Sequence, residues 1–112
     1  MLDYIKFDRK SISFGESILE FDEPLSEVII VARKYIVFRI DTETQENDRN
    51  VFCYGFDGVL QWIIVANDYP DGKSQVSSIY MMNGKLYAFR YCGVEEEINI
   101  NNGEILHSEL IK

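Results

Sequence analysis

Ser77-Ser78-Ile79-Tyr80-Met81-Met82-Asn83-Gly84-Lys85-Leu86-Tyr87-Ala88-Phe89-Arg90 is the stretch that decides the fold. Two apolar, aromatic-rich runs flank Asn83-Gly84. A two-residue type I′ turn needs positive φ at both central positions, and Asn-Gly tolerates that best, so the stretch reads as a β-hairpin. Asp57-Gly58 and Asn102-Gly103 carry the same signal.

Outward from that hairpin, aromatic and β-branched residues cluster in short runs punctuated by Gly, Asn and Asp. No capped helical period reaches three turns, so the sequence predicts an all-β chain. The expected strands cover residues 4–7, 12–14, 17–21, 27–31, 34–40, 50–54, 59–65, 76–82, 85–91, 95–100 and 104–111. Two longer polar breaks remain. Residues 41–49 form a loop of mixed charge, and residues 67–73, with Pro70 and Asp71-Gly72, join two halves of the chain.

Those halves repeat each other. Lys34-Tyr35-Ile36-Val37-Phe38-Arg39 matches Lys85-Leu86-Tyr87-Ala88-Phe89-Arg90, and each is followed by a loop, an alternating strand, a Gly turn and a last strand. The repeat covers residues 28–66 and 76–111, and its spacing of about fifty residues is in the range of a four-stranded propeller blade. Asp57-Gly58-Val59-Leu60-Gln61-Trp62 resembles the closing strand of blades in quinoprotein-type propeller repeats, and Lys85-Leu86-Tyr87-Ala88-Phe89 resembles the strand before it. The second unit departs from that pattern, with His107-Ser108 where a Trp is expected. The resemblance implies two four-stranded antiparallel units, sandwich-like or as an incomplete propeller. It implies no quinone cofactor, because such cofactors sit on the axis of a closed ring, and no other cofactor is expected.

At 112 residues, 46% of them hydrophobic, the chain is expected to be one domain with one core. Nineteen acidic residues against eleven basic ones give a formal charge of −8. That field repels phosphate backbones and anionic membranes, so neither nucleic acid nor a membrane is the expected partner, whereas a basic protein is attracted. Met1 leads directly to Asp3 without a basic and apolar leader, and no apolar run approaches the ~20 residues of a membrane span. Cys53 and Cys92 lie in strand-like segments without metal or redox spacing. Buried, reduced thiols and a cytoplasmic location are the expectation.

Residues arranged for chemistry are few. His107 is the sole histidine, Ser108 lacks a nucleophile-exposing turn, and no glycine pattern cradles phosphate. Tyr69-Pro70 interrupts the register that a calcium loop needs around Asn67, Asp68 and Asp71. No catalytic or metal-binding residue is assigned, and no enzymatic activity is expected.

Surface recognition is better supported. By strand alternation Glu95 and Glu97 share a solvent-facing strip, while Glu96 shares a face with Val94 and Ile98. Glu96 is expected at the rim in water or paired with Arg39 or Arg90. A second acidic patch comprises Asp41, Glu43, Glu46 and Asp48. Asp68 and Asp71 flank Tyr69 on the connecting loop, and Tyr69 and Tyr91 are the candidate aromatic anchors, because Tyr supplies contact area with one polar end. A small acidic β protein of this kind resembles the immunity proteins of toxin–immunity pairs used in contact-dependent growth inhibition. That resemblance implies binding to a basic toxin domain, a nuclease, with carboxylates covering its active site. The other reading is a generic binding or regulatory β-module, including one that self-associates.

Overall fold

The computed structural model describes residues 5–14, 17–41, 49–66 and 74–111, and throughout them the secondary structure is strand and turn. Three antiparallel sheets form in chain order. The first joins β1 (Ile5–Phe7), β2 (Ser11–Phe14) and β3 (Ser17–Glu20). The second is the meander β4 (Leu25–Val31), β5 (Tyr35–Ile40), β6 (Val51–Gly55) and β7 (Leu60–Ile63). The third is the meander β8 (Val76–Met82), β9 (Lys85–Arg90), β10 (Val94–Ile98) and β11 (Ile105–Leu110). The expected all-β fold with two four-stranded units is present, and the units pack face to face.

Strand alternation sorts side chains between two cores. On one face of the second sheet Tyr35, Val37, Cys53 and Trp62 pack against Ile79, Leu86, Ala88 and Ile98 of the third. On its other face Ile36, Phe38 and Ile40 pack against Ile12, Leu19 and Phe21, so the first sheet roofs the second. Phe38 stacks between Phe52 and Tyr54, with ring centroids 5.5 and 5.8 Å away. Every residue of β5 is consequently buried, because its sheet is covered on both faces.

Polar bonds stitch the two four-stranded sheets together at both ends. Asn50 donates from Nδ2 to the carbonyls of Ile40 and Val76 and accepts from the Val76 amide, each at 2.9 Å. Arg39 Nε donates to Glu27 Oε1 at 2.7 Å, and the same oxygen accepts the Ile79 amide at 3.1 Å. At the far end Trp62 Nε1 donates to the Ile100 carbonyl at 2.6 Å, and Gly103 lies against the indole ring. These satisfied buried groups fix the register of one unit on the other.

The turns divide. Asn83 (φ 53°) and Gly84 (φ 76°) form the expected two-residue turn. The two other Gly turns differ from it: at Asp57-Gly58 and Asn102-Gly103 only the glycine has positive φ. Gly58 N bonds Gly55 O and Gly103 N bonds Asn99 O, so these are longer loops in which glycine ends the turn. Conversely, Ala32 and Arg33 both adopt positive φ (55° and 53°) between β4 and β5, against their own preference.

Candidate functional site

The outer face of the third sheet corresponds to the face of the second sheet that the first sheet roofs, yet no described element covers it. Hydrogen-bonded register lays its side chains in rows. Tyr80, Tyr87, Glu97 and His107 oppose one another in sequence across β8, β9, β10 and β11. The next row is Ser78, Phe89, Glu95 and Glu109. Matching Lys34–Arg39 to Lys85–Arg90 sets Tyr87 and Phe89 where Ile36 and Phe38 lie in the first unit. Ile36 and Phe38 are fully buried under the roof, whereas Tyr87 and Phe89 are only half-buried.

The aromatic half of this face is ordered by its neighbours. Tyr80 and Tyr87 stack with centroids 5.6 Å apart and planes 19° from parallel. The Tyr80 hydroxyl donates to Glu95 Oε2, which ties the ring on β8 to the carboxylate on β10. The acidic half carries an electrostatic conflict. Glu95 and Glu109 are direct cross-strand partners with like charge, an arrangement that costs stability on its own, and Glu97 is two residues from Glu95 on the same face. A cation from outside, set between these carboxylates, relieves that repulsion.

Glu95 and Glu97 therefore share the outward strip that alternation predicts, half-buried between long neighbours. Glu96 turns inward and is fully buried against Arg90, one of the two arginines the sequence offered. Asp41 is exposed, 3.5 Å from Arg39 Nη1 at the end of β5, on the other four-stranded sheet. Tyr91 is 52% exposed just beyond β9, its amide bonded to Gln75 O. Glu43, Glu46, Asp48, Asp68, Tyr69 and Asp71 lie outside the described residues. Sequence reasoning missed Tyr80, Tyr87, Phe89 and Glu109, although the alternation of Lys85–Arg90 already placed Tyr87 and Phe89 on one face.

Chemistry elsewhere is sparse. Cys53 is buried, and desolvation pushes its thiol up to about 12; Cys92 is also buried and unpaired in any disulfide. Among the described residues no group of three or more His, Cys, Asp or Glu side chains is placed to hold a metal ion. An open cleft of about 420 Å³ lies between Arg33-Lys34 and Asp57, with Lys34 Nζ 5.2 Å from the Tyr35 ring centre. No helix among the described residues is long and apolar enough to cross a membrane.

Fold and face together define a three-layered, all-β domain with one four-stranded sheet that no described element covers on its outer side. Residues 2–110 match a family model described as a domain of unknown function, DUF7957, and the chain belongs to that family. No curated protein matches the chain.

Proposed function

We propose that this domain is an inhibitory protein-binding module: it docks the outer face of its third sheet onto a cationic protein and neutralises it, as an immunity protein does to a nuclease toxin domain. The observation that carries this reading is the Glu95–Glu109 cross-strand pair, flanked by Glu97 and by the stacked Tyr80 and Tyr87, on a face that no described element covers where the equivalent face is roofed. A nuclease site is cationic because it must hold phosphates, so a row of carboxylates competes for the same field. Tyr87 and Phe89 supply the desolvated area that holds the complex once formed, and the −8 charge raises the encounter rate.

An immunity gene stands immediately downstream of its toxin gene, which fixes the experiment. Cells expressing the C-terminal domain of the polypeptide encoded directly upstream are grown with this protein, without it, and with Glu95→Gln/Glu97→Gln. Rescue by the parent and weaker rescue by the folded double variant support the reading. An upstream domain that is harmless, or one that stays lethal beside the parent protein, overturns it.

A further inference from the structure

Four sheet edges bound the two large sheets, and among the described residues other elements bond to two of them while a third is short. Along β8, Glu27 Oε1 accepts the Ile79 amide and Asn50 Oδ1 accepts the Val76 amide. At β4 the Leu25 amide reaches Arg9 O. β7 has only four residues. β11 is different, because it runs six residues, Ile105–Leu110, and no described strand lies beyond it. Leu106 is 55% exposed, Leu110 62% and Ile111 45%. Such an edge is a template for pairing: Pro and Lys are absent from it, and what blunts it is the single charge of Glu109 and the bulge beside Leu106.

The β11 sequence fits itself. Antiparallel pairing of two copies about a two-fold axis at Ser108 sets Ile105 against Ile111, Leu106 against Leu110, and His107 against Glu109, with the two Ser108 residues face to face. Every pair is apolar with apolar or polar with polar, and the His107 ring N–H can donate to the Glu109 carboxylate of the second copy. Shifting the register by two residues, to a centre at His107 or Glu109, sets like polar residues opposite themselves and apolar against polar.

Backbone geometry agrees with the same register. Ile111 N donates to Gly93 O at 2.7 Å, so by the alternation of an antiparallel ladder Ile111, Glu109 and His107 turn their peptide groups towards β10. Ser108 and Leu110 then turn theirs to the open edge, where a two-fold at Ser108 needs them. The bulge beside Glu97 and Ile98 leaves Leu106 without a partner on β10, free to meet Leu110 of the other copy.

We infer that the chain forms a symmetric dimer through β11, fusing two third sheets into one eight-stranded sheet. Because the axis stands normal to the sheet, both Tyr80–Tyr87–Glu95 faces lie on the same side. The dimer is a bivalent acidic platform. This rests on the β11 edge and not on the identity of the cationic partner, so either can fail alone.

The test is sedimentation equilibrium of the purified chain. The parent populates a species of twice 13.1 kDa at tens of micromolar, and salt tightens it by screening the −8 charge on each copy. Ser108→Pro, which removes an amide facing the open edge, and Leu110→Lys each raise the dissociation constant by at least ~tenfold while circular dichroism stays that of the parent. His107→Glu loosens the dimer, and adding Glu109→Lys to it restores dimerisation. Leu60→Lys on β7 changes nothing. A parent that stays monomeric at millimolar concentration overturns the inference, as does a dimer indifferent to both S108P and L110K.

Discussion

Arg90 Nε donates to Glu96 Oε1 at 2.7 Å, with both side chains completely shielded from solvent. The guanidinium also donates to Ser74 O at 2.6 Å and Val65 O at 2.8 Å, so one arginine grips both flanks of the segment that joins the two units. Arg39 occupies the matching position in the first unit and pairs with Glu27. The repeat thus reuses one device, an inward arginine at the end of the second strand, to close each sheet. Such an ion pair is poor evidence of net stability, but breaking it strands a buried charge.

Glu96→Ala should therefore cost about 3–5 kcal/mol, enough to unfold a marginal domain. Glu27→Ala should cost less, because its side chain is 33% exposed and water can replace part of what is lost. Urea melts of both variants check this ordering. Equal losses would show that burial does not separate the two pairs.

Trp62 and Gly103 form the other clasp. Trp62→Ala should cost about 3–5 kcal/mol by opening a cavity between the units. A Cβ on Gly103 would stand 2.8 Å from the indole, at a positive φ of 78°, whereas one on Gly84 meets nothing within 4 Å at φ 76°. Gly84→Ala therefore reports the backbone cost alone, about 1–2 kcal/mol. Gly103→Ala should lose more in the same melt.

The Cys53 thiol gives a pH signature. Burial raises it from 9.0 to about 12, so between those values the folded state keeps a proton that the unfolded chain releases. Its contribution is full below pH 9 and is lost as pH rises towards 12. The stability difference between parent and Cys53→Ala should therefore shrink as pH rises from 9.0 towards about 12, measured as urea midpoints. The same burial predicts slow reaction of Cys53 with thiol reagents in native protein.

Much of the architecture was legible because it is local. Asn83-Gly84 dictates a hairpin through backbone sterics alone, and alternation along Val94–Ile98 sorted Glu95 and Glu97 from Glu96. What was not legible depends on chain segments meeting across distance. Nothing in residues 5–20 announces that their sheet will roof β5, and no propensity marks Ala32-Arg33 for positive φ. The choice between Arg39 and Arg90 as the partner of Glu96 likewise waits on register. The candidate face is half legible: alternation sets Glu95 and Glu97 outward, while Tyr80, Tyr87, Phe89 and Glu109 join them only through the cross-strand register of β8 to β11.

Within the docking face the two kinds of residue should act on different rates. Tyr87→Ala removes area that is desolvated only in the complex, so dissociation should accelerate by at least ~tenfold with little change in association. Surface plasmon resonance against the upstream-encoded domain reads both rates. A change confined to association would place Tyr87 outside the contact.

On the proposed reading a cationic protein is drawn to Glu95, Glu97 and Glu109. The most direct measurement of that attraction is the association rate of the upstream-encoded domain with the parent and with Glu95→Gln/Glu97→Gln, from low to physiological ionic strength. The glutamines keep an acceptor for the Tyr80 hydroxyl and remove only charge. The parent on-rate should fall steeply as salt screens the field, and the double variant should associate more slowly and with a shallower salt dependence. Equal rates for the two proteins, or binding that ignores salt, would contradict it.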